Sequence, residues 1–373
     1  MNWEYLQPVA ISFGNGKRNT LFEKIEEKGY QRGILVTSAH FIKNGNAKEL
    51  LNNPRNHLIG SFTEFSPNPD VEEVDQLADI LRTKQADFIV ALGGGSVMDG
   101  AKAASSVALS KKTIRTYHGT GIPIPKEHLP VIAIPTTSGT GSEVTSVSVL
   151  TDRKEGKKAP IASDSFYPEY AIIDPELTVS MTPYLTACTG IDVLSHAIEG
   201  YWSKGHQPIC DALAVYAAKL VLENLKTAYE DGQNLVAREK MAEASVIAGL
   251  AFGLPKTTAS HACSFPLTNL YGIPHGEACG LTLDYFISVN GKKDVRTREL
   301  AQMLGFDSSE VLAQAVRSLK KNLGLRVDLA DKKLTQKEKE QLVILSHHPN
   351  LNNNPVKITD EILEDLYHFL CDQ

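Results

Sequence analysis

The sequence has few of the features that mark secreted, membrane-spanning or disulfide-bonded proteins. Only five of its 373 residues are cysteine, and no two form a CxxC pair, so a disulfide framework is not expected. Three of them stand among small apolar residues, which is typical of a buried thiol. No run of about 18 apolar residues occurs, so no transmembrane helix or membrane partner is predicted. The opening MNWEYLQPVAISFG also lacks the basic and apolar regions of a signal peptide, and we expect a cytoplasmic protein.

Charge of one sign is not concentrated anywhere along the chain. The sequence has 44 acidic and 38 basic residues, a net charge of -6. Without a basic block or an aromatic-basic stripe, nucleic-acid binding is not expected. With 42% hydrophobic and 22% charged residues, the chain is long enough to bury the cores of two globular domains.

The two halves of the sequence follow different patterns. Short β-branched runs alternate with helical stretches in the first half, as around 68–85, and this rhythm predicts a parallel sheet covered by helices. After Asp174 the runs stop and long helical patterns continue to the end. Thr182 and Pro183 suit an N-cap and a first-turn proline, so we predict an α/β domain at 1–182 and an all-helical domain at 183–373. The predicted strands are 33–38, 57–62, 87–92, 130–136 and 170–174.

Two glycine-containing loops follow predicted strands of the first half. In DFIVALGGGSVMDGAK, three glycines at 93–95 precede a helix that opens at Ser96. Glycine lets a backbone approach a ligand, and a helix N-terminus favours phosphate, so a nucleotide pyrophosphate fits there. A tight turn without a ligand is the alternative, and the common G-x-G-x-x-G fingerprint is absent. The second loop, PTTSGTGSEVT at 135–145, is either a Ser/Thr-rich connector or the other wall of the same crevice at the sheet's carboxyl edge.

A carboxylate and an imidazole interrupt the apolar run GIDVLSHAIEG in the second half. Asp192 and His196 are four residues apart and therefore share one helical face. Taken alone, they are compatible with a hydrogen-bonded core pair. His261 and His275, in SHACSFPLTNLYGIPHGEACG, add two imidazoles, and the four side chains together suit Fe(II) or Zn(II). The adjacent His347 and His348 have a polar context that predicts a solvated loop, as does LNNNPVKIT at 351–359.

These pieces, in this order, resemble the iron-containing (group III) alcohol dehydrogenase family over nearly the whole chain. The matching motifs are GGGSVMDGAK, PTTSGTGSEVT, TGIDVLSHAIEGY and SHACSFPL with YGIPHGEA. The resemblance implies a dehydroquinate synthase-like architecture, an N-terminal domain that binds NAD(H) or NADP(H), and a helical domain that binds a divalent metal. It also implies a homodimer or larger homo-oligomer.

The resemblance assigns roles to individual residues. The metal ligands would be Asp192, His196, His261 and His275, and Fe(II) is favoured over Zn(II). Ser38 stands where many members carry an acidic residue that accepts hydrogen bonds from the adenosine ribose, which leaves NADP(H) as acceptable as NAD(H). Lys158 lies where the family places a lysine near the cofactor, although its charged context, RKEGKK, also suits a solvated loop. The remaining dinucleotide contacts would be Asn68, Gly94, Gly95, Ser96, Asp99, Thr136, Thr137 and Ser142.

Phe265 is a second departure from the family, in which a histidine often follows the first histidine of the His261/His275 pair by four residues. A proton relay would therefore need water, the cofactor ribose or another group.

The expected activity is reversible hydride transfer between a nicotinamide cofactor and a small aldehyde, with the metal polarising the carbonyl. The motifs near His261 and at 351–359 resemble a branch that includes phosphonoacetaldehyde reductases, which form 2-hydroxyethylphosphonate. Alternatives are a general short-chain alcohol dehydrogenase acting on butanol, a dehydroquinate synthase-like enzyme, a glycerol-phosphate dehydrogenase and a catalytically silent nucleotide-binding protein.

Overall fold

The computed structural model describes residues 2–55 and 57–371, which form two compact units. One unit comprises Leu6–Thr137 and Gly141–Thr178, and the other comprises Val179–Gln373 with Met1–Tyr5 and Ser138–Thr140. The change of unit after Thr178 falls a few residues before the division at 182/183 that the sequence suggests.

The first unit is built from strands and short helices in alternation. Its strands are β1 (Ala10–Phe13), β2 (Gly33–Thr37), β3 (Leu58–Phe62), β4 (Phe88–Gly93), β5 (Val131–Pro135), β6 (Val147–Asp152), β7 (Lys157–Ala162) and β8 (Tyr170–Ile173). Its helices are α1 (Leu21–Lys28), α2 (Ala39–Lys43), α3 (Asn46–Asn52), α4 (Val71–Thr83) and α5 (Gly95–Ala108).

Six of these strands form one parallel sheet in the order β1-β8-β5-β4-β2-β3. The central strand β4 is buried along its whole length, as expected for a parallel sheet covered on both faces. Thr37 is paired with Leu92, and Gly93 with Pro135. The ends of β2, β4 and β5 therefore meet at one edge of the sheet, and the loops that follow them emerge side by side.

The second unit is all-helical. Its longest helices, α6 to α8 and α10, enclose a core rich in alanine, leucine and isoleucine. Among its described residues no helix is both long and apolar enough to cross a membrane. The helices are α6 (Pro183–Trp202), α7 (Pro208–Glu230), α8 (Leu235–Phe252), α9 (Ala259–Tyr271), α10 (His275–Lys293), α11 (Val295–Met303), α12 (Ser309–Asn322), α13 (Gln336–Leu345) and α14 (Asp360–Cys371).

The structure confirms the predicted fold class and most of its elements. All five predicted strands form, and Thr182 caps α6 by accepting a hydrogen bond from the backbone N–H of Leu185, with Pro183 as the first helical residue. The sequence did not predict β1, which is short and partly exposed. It also missed the antiparallel pair β6 and β7, because the lysine-rich β7 lies mostly at the surface and carries little apolar alternation.

The prediction of solvated loops at His347/His348 and at 351–359 is wrong in part. Asn354, within 351–359, is fully buried, where its amide exchanges hydrogen bonds with that of Asn290 at 2.8 and 3.1 Å. His348 is half-buried, and its ring lies 4.7 Å from that of Phe265. His347 is exposed, as predicted. A polar composition could not distinguish these buried polar contacts from solvent exposure, because paired amides bury at little cost.

Candidate dinucleotide and metal sites

The turn between β4 and α5 contains glycines at positions where a side chain would crowd Val97 and Thr137. A Cβ on Gly93 would lie 2.6 Å from the side chain of Val97, and a Cβ on Gly94 would lie 3.2 Å from the Oγ1 atom of Thr137. Gly94 is the N-cap of α5, in extended conformation. The first N–H groups of a helix have no intrahelical acceptor, so a pyrophosphate can approach them here without meeting a side chain.

The loop after β5 lies beside this turn. The backbone N–H of Thr136 donates to the carbonyl of Gly93 at 3.0 Å, which ties the two loops together. Ser38 ends β2 at the same edge and is the N-cap of α2. The structure thus brings Ser38, Gly94 and Thr136 to adjacent strand ends, as expected for a crevice that binds a dinucleotide.

Asp99 and Ser142 fasten the second loop to α5. The Ser142 hydroxyl donates to one Asp99 carboxylate oxygen at 2.5 Å, and the backbone N–H of Val149 donates to the other at 2.8 Å. Both oxygens of Asp99 therefore have partners within the protein. Asp99 therefore fastens the loop after β5 to α5, and its contact with a dinucleotide stays a prediction.

Lys102 of α5, a residue not identified from the sequence, holds this loop through its side chain. It is fully buried, and its Nζ donates to the carbonyl and hydroxyl of Ser142 at 2.9 and 2.7 Å and approaches the carbonyl of Thr145 at 3.3 Å. Burial lowers the pKa of Lys102, and Asp99 opposes that shift. The sequence does contain a signal for this role, because Lys102 follows Asp99 by three residues in a helix that is otherwise mostly apolar, a spacing that favours a buried ion pair.

Asn68 and Lys158 form a pair. The Lys158 Nζ donates to the Asn68 Oδ1 at 2.7 Å, and Asn68 has a φ of 59°, a left-handed conformation that asparagine tolerates better than most residues. The two residues that the resemblance assigns to the cofactor are therefore neighbours, although they lie far apart in sequence.

In the helical unit, Asp192 and His196 lie on the buried face of α6 beside the starts of α9 and α10. Asp192, His196 and His261 are between 3% and 5% exposed. The Oδ1 of Asp192 lies 3.6 Å from the Nε2 of His261 and 4.0 Å from the Nε2 of His196. Gly276 permits α10 to approach α6, since a Cβ there would lie 2.1 Å from the carbonyl oxygen of Cys188.

The tightest set of ligand atoms differs by one member from the set suggested by the resemblance. Asp192, His261, His275 and Cys279 each place a ligand atom within 4.8 Å of the others. His196 adjoins this set, with its ring stacked between Phe252 at 4.1 Å and His261 at 4.6 Å. The structure therefore gathers all four predicted ligands and adds Cys279, which the sequence analysis did not single out.

Glu199 fixes the orientation of His261. This buried carboxylate accepts hydrogen bonds from the Thr258 hydroxyl at 2.6 Å, from the Ser260 backbone N–H at 2.8 Å and from the Nδ1 of His261. Glu199 thereby keeps a proton on Nδ1 of His261, so that Nε2, which faces Asp192, is the ring nitrogen left for a metal ion. Glu199 comes three residues after His196 on the same helical face, a spacing that could have identified it from the sequence.

The surroundings of this cluster shift the pKa values of His196 and His261 in opposite directions. Burial lowers the pKa of His196 well below its ordinary value, and His261 and His275 lower it further. Burial also lowers the pKa of His261, but Cys279 and Glu199 raise it more, so that it lies well above its ordinary value.

The residues present fit both a dinucleotide and a metal ion. Among the described residues, the buried Nε2 of His261 and Nδ1 of His196 have no hydrogen-bond partner, which is costly for buried polar atoms unless something binds them. One carboxylate and three imidazoles, with a thiol, are donors that first-row divalent transition metals prefer. At the sheet edge, a Cβ at Gly94 would crowd the Thr137 side chain at 3.2 Å, and a helix start that carries only glycine backbone suits a phosphate.

Comparison with known proteins agrees with this arrangement. The sequence-family model for iron-containing alcohol dehydrogenases matches residues 8–175. The family model for the C-terminal part of Fe-containing alcohol dehydrogenases matches residues 186–370. The NAD-dependent methanol dehydrogenase of Bacillus methanolicus is 33% identical over 346 residues, with 90% of this chain and 91% of that protein covered. The sulfoacetaldehyde reductase of Bilophila wadsworthia is 38% identical over 229 residues, or 61% of this chain and 59% of that protein.

A solved structure is similar over the full length. The sulfoacetaldehyde reductase of Bifidobacterium kashiwanohense, crystallised in complex with NAD+, superposes with a TM-score of 0.98 at 55% identity, and 100% of both chains is covered. The protein is an oxidoreductase that uses a nicotinamide dinucleotide and a divalent metal to interconvert small alcohols and aldehydes. The chain belongs to the iron-containing alcohol dehydrogenase family.

Proposed function

We propose that this protein is an NAD(H)-linked reductase of a small anionic aldehyde, with sulfoacetaldehyde as its substrate and 2-hydroxyethylsulfonate as its product. The observation that carries the proposal is the 55% identity, over the whole chain, to a sulfoacetaldehyde reductase crystallised with NAD+. Phosphonoacetaldehyde, favoured by sequence motifs, has the same two-carbon skeleton with a phosphonate in place of the sulfonate. It becomes the second candidate.

The reaction transfers a hydride to the carbonyl carbon while the carbonyl oxygen gains a proton. The dinucleotide supplies the hydride, and a divalent ion held by Asp192, His196, His261 and His275 supplies the Lewis acidity that polarises the carbonyl. The residues that contact the dinucleotide in this proposal are Ser38, Asn68, Gly94, Gly95, Ser96, Asp99, Thr136, Thr137, Ser142 and Lys158. Asp99 and Ser142 also hold the loop after β5 in place.

Phe265 limits how the proton reaches the product oxygen. Its ring lies 6.1 Å from that of His275 on one side and 4.7 Å from that of His348 on the other. Because a phenyl ring cannot carry a proton, Phe265 cannot pass one to the product oxygen, and His348 is the titratable side chain on the far side of the ring. Burial lowers the pKa of His348, Asn350 opposes that shift and His261 adds to it.

A cavity of about 340 Å³ in the helical unit supports an anionic substrate. Its walls include two lysines, Lys204 and Lys357, and two histidines, His347 and His348. His348 connects this cavity with the metal ligands through Phe265 and His275. A sulfonate or phosphonate gains charge-assisted hydrogen bonds from such groups, and an unsubstituted alkyl aldehyde does not.

A general short-chain alcohol dehydrogenase is the alternative that a specific observation supports, namely the methanol dehydrogenase relative. To decide, NADH oxidation is followed with sulfoacetaldehyde, phosphonoacetaldehyde and butanal at equal concentrations. We expect kcat/KM for sulfoacetaldehyde to exceed that for butanal about 100-fold or more, since a polar site rejects a substrate that leaves its groups unpaired. Equal turnover of butanal would refute the anionic substrate, and NADPH replacing NADH without loss would refute the cofactor preference.

A further inference from the structure

Cys279 lies in α10 one turn after His275, among the side chains that form the candidate metal site. It is fully buried. Its Sγ lies 3.7 Å from the Nε2 and 3.9 Å from the Nδ1 of His275. It belongs to the set whose ligand atoms all lie within 4.8 Å of one another, together with Asp192, His261 and His275.

These separations are close to those of atoms that share one metal ion. With metal–sulfur and metal–nitrogen bonds of about 2.3 and 2.0 Å, a tetrahedral ion holds its sulfur and nitrogen ligands roughly 3.5 Å apart. The Sγ of Cys279 and the Nε2 of His275 need to move only slightly to reach that distance. The same holds for the 3.6 Å between Asp192 Oδ1 and His261 Nε2, since oxygen and nitrogen ligands are roughly 3.3 Å apart.

A second observation points to a ligand at this place. The Nε2 of His261 is buried and has no hydrogen-bond partner among the described residues, while the other ring nitrogen is bound to Glu199. This Nε2 atom lies 3.6 Å from Asp192 Oδ1 and belongs to the same cluster as the Cys279 sulfur. A purely hydrophobic role for Cys279 gives no reason for its position among donor atoms.

We propose that Cys279 binds the metal ion as a thiolate, in addition to Asp192, His196, His261 and His275. The inference rests on the metal site of the proposed function and adds a donor to it. When the metal–sulfur bond forms, the S–H bond breaks and its proton leaves to solvent.

A sulfur donor alters which metals the site prefers. Thiolate is a soft ligand that suits Zn(II) and also Co(II), whereas a site with only imidazole and carboxylate has less preference for them over Mn(II) or Fe(II). We therefore expect the ratio of zinc or cobalt affinity to manganese affinity to be higher for the unmodified protein than for Cys279→Ala.

The test is the absorption spectrum of the purified full-length protein loaded with Co(II), with bound cobalt counted by elemental analysis. A thiolate bound to Co(II) gives an intense near-ultraviolet charge-transfer band that nitrogen and oxygen ligands do not give. We expect this band in the unmodified protein and in Cys210→Ala, a matched variant of a buried cysteine in α7. Cys279→Ala and the near-isosteric Cys279→Ser lose it and bind cobalt at least about ten-fold more weakly.

A cobalt-loaded unmodified protein without the band overturns the inference, and this result needs no variant to fold. A band that persists in cobalt-loaded Cys279→Ala overturns it as well. If the band is absent but sulfoacetaldehyde is reduced, only the role of Cys279 fails. If the band is present but no aldehyde is reduced, the sulfur ligand stands and the proposed function fails.

Discussion

Glu199 and His261 form a buried carboxylate–imidazole pair in which the carboxylate accepts the Nδ1 proton of the ring. The pairing leaves Nε2 of His261 as the atom that faces Asp192. Thr258 and Ser260 donate further hydrogen bonds to Glu199, so the carboxylate is held in place from the start of the helix that carries His261. Glu199 is therefore a positioning residue, acting through His261.

Replacing this carboxylate tests the positioning role. In Glu199→Gln the amide keeps the shape but loses the charge, so the His261 ring is no longer fixed in one tautomer. We expect the affinity for Zn(II), measured by competition with a chelator, to fall about 10- to 100-fold. Asp284→Asn is the matched control, because this buried carboxylate pairs with Lys320 and Arg317. It is expected to lower the melting temperature without changing zinc affinity, and equal zinc affinity in both variants would contradict the role of Glu199.

Replacing Lys102 tests whether this lysine shapes the cofactor loop at the edge of the sheet. Lys102→Met removes the donor that holds the carbonyl and hydroxyl of Ser142, which leaves buried acceptors unsatisfied and destabilises the fold by about 1–3 kcal/mol. Because the loop loses its anchor, we expect the dissociation constant of NADH, measured by fluorescence, to rise several-fold. Lys320→Met, which removes a buried lysine from the helical unit, should lower stability without weakening NADH binding. If both variants bind NADH like the unmodified protein, the proposed role of Lys102 in shaping the cofactor loop is wrong.

The buried carboxyl group of Glu143 makes the stability of the fold depend on pH. Burial raises its pKa from an ordinary value of 4.5 to about 7. A raised carboxyl pKa means that the folded state binds the proton more tightly, so the ionised side chain destabilises the fold as pH rises from 4.5 through 7. The full effect, reached above pH 7, is on the order of 3 kcal/mol. Glu143→Gln should therefore melt at a higher temperature than the unmodified protein at pH 8, and the difference should disappear near pH 4. An unchanged difference at both pH values would show that ionisation of Glu143 is not responsible.

The fold could be predicted from the sequence wherever the chain's local pattern and its burial agree. The strands β2, β4 and β5 are continuous apolar runs that end at glycine, serine or proline-threonine loops, so their positions and their parallel order were accessible. The edge strand β1 and the hairpin β6–β7 were not, because their pairing depends on contacts with β8 or with each other, and their composition is partly polar.

The candidate metal site could be predicted in part. The spacing of Asp192 and His196 indicated a shared helical face, and the resemblance supplied His261 and His275. The sequence analysis left out Glu199 and Cys279 for a physical reason: each lies on a helix whose other residues are mostly apolar, so each is compatible with an isolated core residue. Each also lies within one turn of a histidine on its own helix, His196 or His275, but the packing of α6 against α9 and α10 is what brings them together with His261.

Lys357 provides a test of substrate charge. It lines the cavity that also contains Lys204 and His348, and removing its charge in Lys357→Ala takes away one cation that a sulfonate or phosphonate could approach. The interaction acts on the anionic group and not on the aldehyde, so we expect KM for sulfoacetaldehyde to rise about ten-fold, an effect of the size of one charge-assisted hydrogen bond. The kcat for that substrate and both constants for butanal should stay nearly unchanged, because the reacting atoms are untouched.

Lys226→Ala is the control for Lys357→Ala, since this lysine of α7 is paired with Glu230 at the surface and does not line the cavity. Removing it changes the net charge of the protein equally. If both variants raise KM for sulfoacetaldehyde to the same extent, the effect comes from the overall field, which salt screens at a Debye length of about 8 Å near physiological ionic strength. A rise confined to Lys357→Ala that persists in 0.5 M salt therefore places the anionic group of the substrate in the cavity, and no rise in either variant places it elsewhere.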